Sequence, residues 1–402
     1  MRLSTAGMHR TSINAILEQQ TRMAKTQEQV TTGKRFQSAS EDPIAATRAA
    51  VLDRSMAENE QFARNSNMIE ARLNFEEQAL ADVNDVLQYV RERALQGANS
   101  SLGAQERRII ANDVRQQLQA LIDIANRDDG NGEYLFAGTT TGAAPFAQGP
   151  AGINYLGDST NRVVRVSNSQ LIADGHSGTD VFMNLTERNG VFRTDVTATN
   201  TGSASIDIGR VVDSTAWVAD NYTLQFTSAT DWQVVDDTLP TPAVIASGSG
   251  FVSGQSIQFL GANVTLTGTP ATGDSFTIRP AQKTDMFAML DELARTLEGE
   301  PAIAGSNAAF QAQIGASLAN LDQALERSVS VRAEVGSRLN AIDNATDSRE
   351  SEAVDLQALL ADLRDTDYAS AISQLNQQYA GLQAAQAAYT RIAQLSLFDY
   401  LR

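Results

Sequence analysis

Across residues 318–363 one spacing, alternating three and four, holds without a break. It runs through Leu318, Leu321, Leu325, Ser328, Arg332, Val335, Leu339, Ile342, Thr346, Arg349, Ala353, Leu356, Leu360 and Leu363. A repeat averaging 3.5 residues is a coiled-coil seam. At 1.5 Å per residue such a helix is roughly 90 Å long. A compact bundle of ordinary helices cannot cover it, so a partner of similar length is required. The same chain supplies one after Pro43: Leu52, Asn59, Phe62, Ile69, Leu73, Leu80, Val83, Leu87, Val90 and Ala94 keep the same phase.

The remaining segments extend this plan. A first helix over residues 5–30 places Ile13, Ile16, Gln20, Met23, Gln27 and Val30 on one seam, and Gly33 stops it. Pro43 is suited to the first turn of the next helix. A third helix follows over about 105–126. The run Asp128-Asp129-Gly130-Asn131-Gly132 then breaks the helical pattern. From there to about Pro280, Gly, Thr, Ser and Asn dominate, with short β-branched alternations at 162–166, 222–226, 256–259, 264–266 and 275–278 that read as strands. The Gly-rich stretch 246–254 reads as a loop. Helix returns at 284–297, after Gly305, and, beyond a break and N-cap at Asp365-Thr366-Asp367, over 368–395.

The expected fold is therefore mainly α with a β insertion. Long antiparallel N- and C-terminal helices form a coiled-coil bundle, and small antiparallel β domains are inserted between them. The expected division is terminal helices at 1–40 and 366–402, a long-helix bundle at 41–130 and 284–365, a β-hairpin region at 131–189, and an outer β domain at 190–283.

Chemistry is thinly provided for. Cysteine is absent, which excludes disulfides and thiolate sites. The net charge of −17 and the lack of a basic run speak against nucleic acid. No stretch of about 18 apolar residues predicts a membrane span. The start lacks the basic and apolar regions of a cleavable signal, which by itself implies the cytoplasm unless export uses an uncleaved signal. The two histidines, His9 and His176, read as solvated polar residues in a terminal helix and a Gly-rich loop. Asp128 and Asp129 lack the alternating ligands and closing Glu of a calcium loop. No phosphate loop of standard spacing is present. No catalytic, cofactor or metal residues are expected, and no enzyme.

The outermost helices are the anomaly. A lone helix of about 25 residues is marginal in water, and each carries an apolar seam with few partners inside one chain. Neighbouring subunits are expected to supply the missing surface, with ordering on assembly. The expected assembly residues are Ile13, Ile16, Met23 and Val30 near the N-terminus. At the other end they are Ile372, Leu375, Tyr379, Leu382, Tyr389, Ile392, Leu395, Phe398 and Leu401. A head-to-tail contact of this kind builds an open helical array.

Several segments resemble the flagellin superfamily. They are residues 2–8, the turn Thr32-Gly33-Lys34-Arg35 through Ser38-Ala39-Ser40-Glu41-Asp42-Pro43-Ile44-Ala45-Ala46, and the C-terminal helix from Tyr379 to Leu401. The Asp42-Pro43 form and the run Asn131-Gly132-Glu133-Tyr134-Leu135-Phe136-Ala137-Gly138-Thr139 look more like the junction branch than flagellin proper. Over the β region after about Asn189 the match is loose, with strands at 223–226 and 264–278 similar to a module of hook-associated proteins. The resemblance implies a non-enzymatic adaptor in the extracellular flagellum, self-assembled into a ring or helical layer. It implies hook-associated protein 1 on one side, flagellin on the other, export by the flagellar type III route and a chaperone for the C-terminal helix. The terminal helices would form an inner tube, the coiled coil the next shell and the β region the outer surface. The polar seam positions Ser328, Arg332, Thr346 and Arg349 fix register or mildly destabilise the seam; on the resemblance they would permit small sliding between shells as the hook rotates. A flagellin-like filament subunit is one alternative; a secreted adhesive or carbohydrate-binding protein with helical stalks is another.

Overall fold

The computed structural model of the chain describes residues 5–150, 152–238, 241–299 and 307–400, leaving out the side chains of 5, 6, 8, 9 and 392–400. Its helices are α1 (Thr5–Thr32), α2 (Pro43–Gly97), α3 (Ala104–Ala125), α4 (Gly178–Val181), α5 (Met286–Glu298), α6 (Asn307–Arg364) and α7 (Tyr368–Tyr400). The fold is mainly helical, with small antiparallel sheets inserted between the α3 and α5 segments, as the sequence pattern implies. The chain divides into two compact units: Met1–Arg64 with Asn344–Arg402, and Asn65–Asp343.

In the first unit α1 packs against α7, and the beginning of α2 runs beside the end of α6. The turn between α1 and α2 is built from local chemistry. Gly33 takes a φ of +71°, where a side chain is strained. The Arg35 N–H donates to the Arg364 carbonyl at 2.6 Å, and the Thr366 N–H donates to the Gly33 carbonyl at 2.8 Å. Asp42 caps α2, its Oδ1 accepting from the Ala45 N–H at 3.0 Å. That hydrogen bond and the Arg35 guanidinium, 2.9 Å away, hold the Asp42 carboxyl below its ordinary range. Asp367 caps α7 in the same way, accepting from Ala369 at 3.0 Å and Ser370 at 3.2 Å. Arg364 clasps Asp53 across the pair, one of the two bonds measuring 3.0 Å.

The second unit carries the larger core. Ile69, Leu73, Leu80, Val83, Leu87 and Val90 of α2 are buried. So are Val114 and Leu121 of α3, Leu290 and Leu293 of α5, and Leu321, Val331 and Val335 of α6. Asp285 opens α5 by accepting from Ala288 at 2.7 Å, and Gly299 closes it at φ +77°.

The insertion begins with hairpin β1 (Phe146–Gly149)/β2 (Gly152–Tyr155) and hairpin β3 (Val163–Arg165)/β4 (Leu171–Ala173). After α4, β5 (Leu185–Thr186) leads out to β6 (Phe192–Val196), β7 (Ser205–Ile206), β8 (Arg210–Val211), β9 (Tyr222–Phe226) and β10 (Trp232–Asp236). There follow β11 (Ala243–Gly248), β12 (Ser256–Phe259), β13 (Ala262–Thr267), β14 (Ser275–Pro280) and β15 (Lys283–Thr284), which returns to pair with β5. One sheet has the order β11-β10-β9-β14-β6; the other is β12-β13-β7, with β8 also on β13. Alternate residues of both sheets, among them Phe192, Tyr222, Leu224, Phe226, Val264, Phe276 and Ile278, close a separate core. Residues 243–248, half of which fall in the expected Gly-rich loop, form a strand instead. Its small residues let Trp232 lie across Gly248, where a Cβ would come within 2.5 Å of the indole.

Leu260 and Gly261 form the two-residue turn between β12 and β13, with φ of +40° and +76°. A Cβ on Gly261 would fall 2.1 Å from the Asp213 carbonyl oxygen. Gly261→Ala is expected to destabilise the β domain by about 1–3 kcal/mol. Chemical denaturation monitored by tryptophan fluorescence checks this, since both tryptophans lie in that domain.

Candidate functional site

The α1–α7 pair is where the sequence leaves its largest unpaid debt, and its seam differs from the expected one. The line through α1 is Ile16, Gln19, Met23, Thr26 and Val30, with Thr26 buried; Gln20 and Gln27 are exposed. On α7 the line is Ala371, Leu375, Gln378, Leu382, Ala385 and Tyr389. Small and polar residues thus occupy five of these eleven seam positions. Thr26 is tolerated there because its hydroxyl donates to the Arg22 carbonyl at 3.1 Å. Gln19 donates from Nε2 to the Gln378 carbonyl at 3.2 Å, and Gly381 leaves room for it: a Cβ would meet that nitrogen at 3.1 Å.

Of the expected assembly residues, Ile16, Met23, Val30, Leu375 and Tyr389 are half-buried and Leu382 is buried, all on this seam. Ile13, Ile372 and Tyr379 are not on it. They are 42%, 47% and 56% exposed, and Leu17 is 54% exposed. Leu17 escaped the sequence reading because it lies off the 3-4 line. The side chains of Ile392, Leu395 and Phe398, and the whole of Leu401, lie outside the described residues.

The polar positions in the α6 seam have identifiable surroundings. Ser328 is buried, and its hydroxyl has no hydrogen-bond partner. Arg332 donates from Nε to Glu77 at 2.9 Å, and Arg349 donates to the Thr346 hydroxyl at 2.7 Å. Burial pushes the Arg349 guanidinium below its ordinary value.

His176 is not solvated. It is 4% exposed, with Nδ1 2.6 Å from Glu76 and Nε2 3.1 Å from Glu334. A Gly-Ser loop looked wet in the sequence, but Gly175 and Gly178 are there for close approach, the latter beneath Phe146 and Tyr155. His9 has its side chain outside the described residues. Burial opposes ionisation of Asp129, but its Oδ1 accepts from both the Asn131 and Glu133 N–H groups at 2.9 and 3.2 Å, and these bonds with Arg72 hold its carboxyl below the ordinary range. Among the described residues, no group of three His, Asp or Glu side chains could hold a metal ion, and no helix is long and apolar enough to cross a membrane. The clefts of 370, 400 and 320 Å³ have no histidine in their walls.

Comparison with known proteins matches this architecture from both ends. Residues 3–141 match the bacterial flagellin N-terminal helical region and residues 318–401 the flagellin C-terminal helical region. Residues 196–280 match the D2-like domain of flagellar hook-associated protein 1. Helical ends of flagellin type around a β insertion define the class of flagellar axial subunits. Flagellar hook-associated protein 3 of Escherichia coli is 26% identical over 402 residues, 99% of each chain. Its Salmonella typhimurium counterpart is 34% identical over 186 residues, 46% of this chain and 58% of that protein. The crystal structure of Xanthomonas campestris FlgL is similar at a TM-score of 0.71 and 32% identity, covering 77% of this chain and 99% of that one. The flagellar junction protein FlgL of Legionella pneumophila gives a TM-score of 0.70 at 29% identity, with 79% and 100% covered.

The chain belongs to the flagellar hook-associated protein 3 (FlgL) family of the flagellin superfamily. It is a structural protein of the extracellular flagellum at the hook–filament junction, and not an enzyme.

Proposed function

We propose that the chain forms an adaptor layer which receives hook-associated protein 1 on its hook side and flagellin on its distal side, polymerising through its terminal helices. The observation that carries this reading is the inverted packing of α1 on α7. Alanine, glutamine and threonine take up five of the eleven positions of the intrachain seam, while Ile13, Leu17, Ile372 and Tyr379 stay in water. A pair built only for itself gains by the opposite choice, since burying one large apolar side chain is worth about 1.5–3 kcal/mol. The likeness of residues 196–280 to a module of hook-associated protein 1 supports an outer β domain at 190–283 of the kind such proteins carry. On this reading 1–40 and 366–402 form the assembly domain, 41–130 and 284–365 the bundle, and 131–189 a hairpin region attached to it. The chain leaves through the flagellar type III route, and a cytoplasmic chaperone covers the C-terminal helix until then.

Deleting the residues after Asp367 tests this reading. The expected product is soluble, with the second unit melting as before, and it fails to restore filaments to cells lacking the full chain. Normal filaments from the truncated protein would sink the assembly model. Limited proteolysis of the full monomer with mass mapping is expected to remove roughly the first 35 and last 35 residues. Protection of both ends would mean that the intrachain seam suffices to order them, and the intersubunit contacts would have to come from elsewhere.

A further inference from the structure

The second unit holds a buried group outside the proposed assembly helices. We infer that His176 is a proton-dependent latch, fastening the segment that enters α4 to both α2 and α6 only while both ring nitrogens carry a proton.

The geometry sets the requirement. Nδ1 lies 2.6 Å from Glu76 Oε1 on α2, and Nε2 lies 3.1 Å from Glu334 Oε2 on α6. A neutral imidazole has one N–H and one lone pair, and an ionised carboxylate only accepts. With a neutral ring, one of the two contacts sets a lone pair against a carboxylate oxygen. Both contacts are hydrogen bonds at once only if one more proton is present, and on the ring that proton makes an imidazolium donating in both directions. The ring and Glu76 are almost fully buried, so an opposed pair there cannot be relieved by water, whereas an opposed Glu334, half exposed, is relieved by turning into solvent, which unfastens the α6 side.

The surrounding charges favour the ring as the proton's place. From α2, Arg72 faces Asp174 at 3.9 Å, Glu133 at 3.5 Å and Asp129 at 3.8 Å. Arg162, before β3, holds Asp174 at 2.5 Å and Glu133 at 3.3 Å. From α6, Arg338 lies 3.8 Å from Glu334 and donates to the Gly175 carbonyl at 3.0 Å. Three guanidinium groups thus face five carboxylates, and a cation on His176 reduces the excess of negative charge. The two glutamates sit at opposite ring nitrogens and share no point where an ion could bind both, so the arrangement suits a proton and not a metal.

The latch has something to hold. Ser177, next in the chain, caps α4 by accepting from the Asp180 N–H at 3.3 Å, and the Gly178 N–H donates to the Phe136 carbonyl at 2.8 Å. Four residues further on, Phe182 enters the aromatic cluster with Phe136, Phe146 and Phe287. An imidazole in an unfolded chain releases its proton near neutral pH. The native state binding the extra proton is therefore stabilised on the acid side and loses that stabilisation as pH rises.

Nitrogen-15 spectra of the imidazoles in the full chain decide the matter, with His9 as internal reference and His176→Gln for assignment. The expected result at pH 7 is both His176 nitrogens protonated, with the fully protonated signature persisting to higher pH than for His9. Glu334→Gln, at a half-exposed carboxylate, is expected to move the loss of that signature to lower pH. Relative to His176→Gln, the wild-type unfolding constant is expected to rise with pH by up to about tenfold per unit, the limit for one proton. A single protonated nitrogen at pH 6 overturns the proposal by placing the proton on Glu76 or nowhere. So does a His176 titration that Glu334→Gln leaves unmoved. Should His176→Gln fail to fold, the spectra of the wild type and of Glu334→Gln still decide.

Discussion

Replacing Ile372 and Tyr379 together by aspartate is expected to leave the monomer's melting unchanged and to abolish filament growth beyond the hook. Both side chains are about half exposed, so little is lost within the monomer. Each has about half of its surface left to bury, so if a neighbouring subunit covers it, its loss costs about 0.8–1.5 kcal/mol, and burying a carboxylate in its place costs at least about 1–3 kcal/mol more. Two positions together then amount to at least about 4 kcal/mol, and each 1.4 kcal/mol is tenfold in an equilibrium constant, so the affinity of each intersubunit contact falls by at least about a hundredfold. Repetition through the layer compounds that loss. Leu382→Asp is the contrast: it strikes the intrachain seam and is expected to weaken the marginal α1–α7 pair itself, read as faster proteolytic loss of the two ends of the monomer. Electron microscopy and swimming of complemented cells read the first effect. Normal filaments on the double variant would show that this face of α7 is not a subunit contact.

The helices were legible because periodicity over tens of residues is a strong signal. The start of α2 followed from Pro43 in its first turn and that of α7 from the cap expected at Asp365-Thr366-Asp367, where Asp367 caps; the cap by Asp42 is an addition of the structure. What periodicity could not decide was which of two adjacent lines faces inward. On α7, Ile372 and Tyr379 look like seam residues, and their neighbours Ala371 and Gln378 take those places instead. A hydrophobic pattern locates apolar side chains without saying whose surface they will cover. Where one helix serves two interfaces, the smaller residues can take the inner one.

The surroundings of His176 were hidden for a different reason. Its partners Glu76 and Glu334 lie 100 and 158 residues away in sequence. No local composition announces a contact of that range, and the glycines flanking the histidine suggested a solvated loop. Their use is to let the backbone close against Glu76 on one side and Phe146 on the other. Helix α4 escaped for a similar reason, since its four residues are too few to set up a period.

The aromatic run in Asn131-Gly132-Glu133-Tyr134-Leu135-Phe136 takes its meaning from the same region. Phe136 meets Phe182 edge-on at 5.1 Å between ring centres, Phe146 meets Phe182 at 5.4 Å, and Phe182 stacks on Phe287 of α5 at 5.7 Å. Phe182 is thus one of two rings that reach Phe287 from the hairpin region, Phe146 being the other at 5.2 Å, and it is fully buried. Phe182→Ala is expected to destabilise that unit by about 3–5 kcal/mol, a cavity cost that includes the lost aromatic pairs. Taken at about 2–4 °C per kcal/mol, this lowers its melting temperature by roughly 6–20 °C. Phe182→Leu keeps most of the volume and is expected to lose less than half as much. Near-ultraviolet circular dichroism follows the aromatic cluster as it melts. A loss below about 1 kcal/mol for the alanine variant would mean that the hairpin region collapses onto α5 without this ring, and that the rest of the cluster, not Phe182, joins it to the helices.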